Sequence, residues 1–214
     1  MSTSTPLPSF VPELEPLPST GILGSLFRMT VDQYERLVET GVLDGESIEL
    51  INGYLVKKMG KNPPHSWTVD AVREEFVPIM PRGWSIRQEQ PVKIPDFDEP
   101  EPDLAIVRGT RDRYEDRHPG PADIGLLIEV ADTTLDRDRG EKQLVYARCG
   151  VPIYWIVNLV DRQLEIYTGP TPSGYRKRQA LAPHEQVTVT IGRRGIGRIA
   201  VSAILPRDRA PRGA

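Results

Sequence analysis

Ile124-Gly-Leu-Leu-Ile-Glu-Val-Ala131 is an eight-residue apolar run broken once, by Glu129. It reads as a strand, in a chain whose alternating strand and helix patterns point to an α/β or α+β fold. A carboxylate has little business there unless something compensates it, because a buried unpaired acid neutralises rather than stays charged. Side chains alternate along a strand, so Glu129 shares a face with Leu127 and Ala131.

Working outward, Pro102–Val107 reads as a second short strand, with Asp103 opening the apolar stretch Asp103-Leu-Ala-Ile-Val107. If the two strands are neighbours, their acids can converge on one divalent cation. Magnesium is commonly held by one or two carboxylates plus water and substrate phosphate. Two other arrangements stay open: Glu129 in a buried ion pair with an arginine, or at a strand end in water. After Glu129, a helix is expected from about Asp138 to Arg148, stopped by Gly150. Lys142 and Tyr146, four residues apart, then lie on one helical face with Asp138 a turn earlier. A lysine reaching the site could hold an attacking water or stabilise a phosphate as negative charge grows; otherwise Lys142 is an ordinary solvated helix residue.

The remaining pattern alternates strand and helix. Thr30 is a plausible N-cap for a helix through about Glu39. Ile48–Val56 reads as two short strands around Asn52-Gly53, a dipeptide suited to a tight hairpin. Pro63-Pro64 precedes a helix expected from about His65 to Val77. Trp84–Ile94, Val151–Asn158, Gln163–Tyr167 and Val187–Ile191 read as strands. Tyr154 and Trp155 are assigned to the core. Gly195-Ile-Gly197 in Gly195–Ala200 is superficially like a dinucleotide fingerprint, but too little chain follows for the required helix and strand, and it reads as a turn. Residues 1–24, rich in Pro, Ser and Thr, read as a flexible leader, residues 25–205 as one domain and residues 206–214 as a tail.

Composition narrows the function classes. One cysteine, Cys149, forbids an intrachain disulfide, and with three scattered histidines (His65, His118, His184) a zinc site of Cys and His is not expected. Cys149 reads as a small buried hydrophobe near a helix end. No membrane span or signal peptide is legible, so a cytoplasmic protein without membrane partners is expected. The net charge of −3 runs against a simple nucleic-acid binder, although acidic metal ligands contribute to it and bound cations would offset them. Arginine-rich stretches at Arg108–Arg117, Arg137–Lys142 and Arg193–Arg198 read as solvated loops, segment by segment.

Glu49-Leu-Ile-Asn-Gly53, His65, Glu101-Pro-Asp-Leu-Ala-Ile-Val107, Leu127-Ile-Glu-Val-Ala131 and Asp138-Arg-Gly-Glu-Lys142, followed by Tyr146–Val157, together resemble the bacterial Uma-type family of the PD-(D/E)XK restriction-endonuclease-like superfamily. The resemblance runs from about Met29 to Tyr167, and the order and spacing of the motifs carry it. It implies a restriction-endonuclease-like fold, a central mixed β-sheet flanked by helices. It also implies a metal-dependent nuclease in which Asp103 and Glu129 bind Mg²⁺ or Mn²⁺. The superfamily lysine would follow the second acid after one residue, where this chain has Ala131; Lys142 would stand in from the next helix. Glu49 is the candidate for an additional acid, with an exposed hairpin acid as the alternative. His65 and Tyr146 are candidates to line the site.

The expected activity is hydrolysis of phosphodiester bonds in DNA. Two other classes stay open: a nuclease-fold binding or assembly module without catalysis, and a hydrolase of small phosphate esters, which would need a closed pocket. DNA is the expected partner. A homodimer would suit double-strand cleavage.

Overall fold

The computed structural model describes residues 26–192 and 194–207. The leader expected over residues 1–24 lies outside this range, as does the tail beyond Arg207. The elements run α1 (Val31–Glu39), β1 (Ile48–Ile51), β2 (Tyr54–Lys57), α2 (Pro63–Phe76), β3 (Trp84–Gln88), β4 (Leu104–Arg108) and β5 (Ile124–Ala131). There follow α3 (Leu135–Arg137), a π-helical turn (Asp138–Lys142), α4 (Gln143–Arg148), β6 (Ile153–Asn158), β7 (Gln163–Thr171), β8 (Gly174–Leu181), β9 (Gln186–Ile191) and β10 (Arg194–Ala200).

Strands β3 to β8 form one six-stranded sheet in sequence order. Every neighbouring pair is antiparallel except β5–β6, which is parallel. A parallel pair needs a crossover connection, and here it is the α3–π–α4 segment. Strand β5 is buried along its whole length, as its composition requires. The odd and even positions of the sheet feed two cores. Leu104, Ile106, Leu126, Ile128 and Trp155 pack with Val69, Val72 and Phe76 of α2 and with β9 and β10. Ala105, Val107, Leu127, Ala131 and Tyr154 pack on the other face with Val145 and Tyr146 of α4.

Local chemistry explains the elements that position the site. Thr30 and Gln33 form a reciprocal capping box that starts α1. Asn52 and Gly53 both have positive φ, at 53° and 83°, which closes β1 onto β2. Asn62 caps α2 through a hydrogen bond from the His65 amide at 3.0 Å, and the helix begins at Pro63, two residues before the expected His65. Proline suits that first turn because its missing N–H would have had no helical partner.

Three sequence expectations need correction. The strand expected over Trp84–Ile94 ends at Gln88, where Glu89 takes a positive φ of 52° and Pro91 follows. Gly195–Ala200 is not a turn: it lies in β10, paired to β9, with a register shift between Gly195 and Gly197. Glycine inside a strand marks a bulge or a close approach, and a Cβ at Gly197 would sit 2.8 Å from Ile79 Cγ2. Strand β8 was not anticipated; its middle residues are exposed and charged, so it lacks the apolar alternation that reveals a strand. Among the described residues no helix is long and apolar enough to cross a membrane.

Candidate active site

The Asp103 and Glu129 carboxylates enter one small cleft of about 40 Å³ between the sheet, the β1–β2 hairpin, α2 and the π turn. Strand register explains this. Leu104 pairs with Ile128 in the antiparallel β4–β5 ladder, so Asp103, one residue before β4, falls opposite Glu129 and on the same side. Val130 N donates to Asp103 Oδ2 at 2.7 Å, fixing that carboxylate at the strand end. His65 Nε2 lies 3.3 Å from Asp103 Oδ1, whereas His65 Nδ1 is buried with no hydrogen-bond partner.

Lys142 projects from the π turn between two acids, with Nζ 3.0 Å from Glu129 Oε1 and 3.2 Å from Glu49 Oε2. The helix expected from Asp138 is in fact longer and irregular: it begins at Leu135, and its middle turn is wound wider than an α-helix. That turn buries both Asp138 and Lys142. Such π turns are frequent at functional sites. Tyr146 OH donates to Glu129 Oε1 at 2.8 Å. Both donors to Glu129 therefore use one oxygen, and among the described residues no hydrogen bond reaches Oε2. Glu49 is only 2% exposed on β1, which overturns the exposed-hairpin alternative; it accepts from Glu101 N at 3.1 Å. Glu129 pairs with a lysine rather than an arginine.

Burial dominates the electrostatics. It pushes Glu129 up to about 8 against the opposing pull of Lys142, with Asp103, Asp138 and Glu49 adding to the rise. Burial likewise lifts Asp138 to about 6, although Lys142 and the Thr134 hydroxyl favour its charged form. Asp103 is also driven up by burial, but its hydrogen bond and charge interaction with His65, the Val130 amide and Lys142 outweigh that and hold it low. For Lys142, burial opposes the charge, and Glu129, Glu49, Asp138 and Asp103 reverse it, so the ammonium is held more firmly than usual.

Sequence reasoning missed the rim. Lys58, Lys61 and Arg137 line the mouth of the same cleft, above the acidic floor of Glu49, Asp103, Glu129 and Asp138. Lys58 pairs with Glu101 at 2.9 Å and Lys61 with Glu89 at 2.7 Å. The signal was available: three lysines in Lys57–Lys61, immediately after a hairpin whose glutamate was already a candidate. The arginine stretches are not simply solvated loops: Arg137–Lys142 belongs to the crossover and brings Arg137 and Lys142 to the cleft, and Arg194–Arg198 lies in β10. Arg113 and Arg117 pair with Asp123, and Arg139 pairs with Asp161 and Glu165. Cys149 is half-buried at the end of α4, and burial raises its thiol pKa.

This sheet, with one acid on β5, another at the residue preceding β4 and a lysine delivered by the crossover, is a nuclease-like fold. The solved structure of a "putative nuclease belonging to DUF820" from Anabaena variabilis ATCC 29413 superposes with a TM-score of 0.61 at 15% identity, covering 82% of this chain and 97% of that one. The sequence profile of the Uma2 family, described as "Putative restriction endonuclease", matches residues 31–201, and the chain belongs to that family. No curated protein matches it by sequence.

Proposed function

We propose that the protein is a Mg²⁺- or Mn²⁺-dependent endonuclease that hydrolyses phosphodiester bonds in DNA. The observation that carries this reading is one cleft with four carboxylates on its floor, Lys142 among them, and three cations at its mouth. Among the described residues no group of three or more His, Cys, Asp or Glu is arranged as a ready metal site. The donor set nevertheless fits magnesium, which takes one or two carboxylates and completes its shell with water and phosphate oxygens. On the floor itself four carboxylates face the single ammonium of Lys142, and that local excess of acid is the charge such a cation would offset.

Asp103 and Glu129 would hold the ion, with Glu49 held in reserve beside Lys142. The cation supplies Lewis acidity, making water more acidic and offsetting charge on the phosphate. Lys142 has three N–H donors and two carboxylate partners, so one donor remains to orient water or a phosphate oxygen. Tyr146 fixes the Glu129 carboxylate. Lys58, Lys61 and Arg137 attract the DNA backbone, a local basic rim on a chain of net negative charge. A twofold dimer would present two clefts to the two strands.

The test is cleavage of plasmid and single-stranded DNA with Mg²⁺ or Mn²⁺, comparing wild type with Glu129→Ala. Metal-dependent cutting lost in the variant supports the reading. Cutting that survives the substitution refutes this site. A second reading, a binding module without catalysis, is favoured by the two carboxylates that already engage Lys142; metal-independent DNA binding with no cutting by either protein would select it.

A further inference from the structure

Trp67 sits near the start of α2 but takes no part in the core that the helix builds. Thr68, Val69, Ala71, Val72 and Phe76 face inward, whereas Trp67 is 46% exposed. It lines a groove of about 860 Å³ together with Pro63, Pro64, Leu159, Arg162 and Arg207. An indole wall that shares its groove with Arg207 is suited to a nucleobase face and a phosphate.

The groove lies next to the acidic cleft, with one small pocket between them. A narrow intervening pocket shares Met59, His65 and Thr134 with the cleft and Asp132 with the groove. Asn62 ties the two together, capping α2 and donating to Asp132 Oδ2 at 2.5 Å. Met59, at the junction, is itself 52% exposed. A chain bound across the cleft would therefore run past Met59 to Trp67.

We propose that this groove receives an unpaired stretch of nucleic acid flanking the phosphate in the cleft, with one base stacked on Trp67 and the backbone drawn by Arg207. The unpaired state follows from the indole: a base within a duplex already has both faces stacked, whereas an unpaired base has a face to offer. This rests on the nuclease reading for its substrate class, but not on catalysis.

The test uses the full chain in EDTA, titrated with a single-stranded oligothymidylate of roughly 12 nucleotides, within the range of known single-strand site sizes. Trp155 is buried against Phe76 and Trp84 is half-buried beneath Arg108, so Trp67 is the indole that added bases can reach. Emission should be quenched. By anisotropy of a labelled strand, Trp67→Ala should bind on the order of tenfold more weakly and Trp67→Phe nearly as wild type, the loss expected for one stacked base. An abasic strand of equal charge should bind wild type and Trp67→Ala alike. Affinity for the oligothymidylate within twofold of wild type in Trp67→Ala would overturn the proposal. So would a change in emission on protein dilution alone, which would assign the groove to a second copy of the chain. Quenching without cleavage in Mg²⁺ would keep this inference and sink the catalytic one, whereas cleavage with Trp67-independent binding would do the reverse.

Discussion

Lys142→Met removes the one ammonium that lies within 3.2 Å of both Glu129 and Glu49 and leaves a side chain of similar length. Removing one partner of a buried ion pair costs about 3–5 kcal/mol. Here part of that cost is relieved at neutral pH, because Glu129, already held near 8 by burial, stays protonated and needs no counter-charge. The loss at pH 7 should therefore lie near the lower figure, about 3 kcal/mol. The pH dependence follows from the raised carboxyl. An acid whose folded pKa is raised loses stability from its unfolded value, 4.5, up to its folded value, and no further. In wild type that loss ends near 8. In the variant, without Lys142 to oppose burial, Glu129 rises higher still and the loss continues. The gap between the two proteins should widen above pH 8 by up to about 1.4 kcal/mol per pH unit. Urea unfolding at pH 7 and pH 9 measures both quantities. A difference below about 1 kcal/mol that does not change with pH would refute the argument, because it would make Lys142 a solvated helix residue after all.

Three further outcomes are expected. Glu165, fully buried on β7, is pushed up by burial but held down at about 2 by Arg139, Asn158, Tyr167 and Gln163; its contribution is present above its ordinary 4.5 and is lost as pH falls toward 2. Solvent around Arg139 and Arg178 reduces that contribution to at most about 3 kcal/mol, and Glu165→Gln should flatten the acid limb of stability between pH 5 and 2, as read by unfolding midpoints. Gly125→Ala would place a Cβ 2.6 Å from Trp84 Cζ3 and 3.0 Å from Ile191 Cγ2, and calorimetry should show a loss of about 1–3 kcal/mol from overpacking; an unchanged melting temperature would mean that Trp84 moves freely. Mg²⁺ at about a hundred times its dissociation constant should stabilise wild type by about 2.7 kcal/mol, EDTA should abolish the gain, and Asp103→Asn should never show it; equal shifts in both proteins would place the ion elsewhere.

Much of the candidate site was legible in the sequence because single side chains contradicted their surroundings. Glu129 interrupts an aliphatic run, and that conflict between local composition and charge is what an internal acid looks like in one dimension. Lys142 was harder: its significance came from spacing to Tyr146 and from family resemblance, and the wide turn that swings Asp138 in beside it leaves no mark in composition. Lys58 and Lys61 were overlooked because the cleft is built from segments distant in sequence, and proximity of that kind depends on how β1–β2 is laid against β4 and β5. Strand β10 was misread as a turn because Gly195 and Gly197 signal chain reversal far more often than a bulged strand packed tightly on Ile79.

The two borders of the main sheet are unequal. One is the five-residue β3, too short to offer much of a template; the other is β8, where Arg176, Lys177 and Arg178 stand exposed in a row. Two such cationic margins brought edge to edge would repel, so growth of the sheet from copy to copy is discouraged at the longer border. Contact between two copies is thereby steered away from β8, toward the short β3 border or toward helices, hairpins and loops.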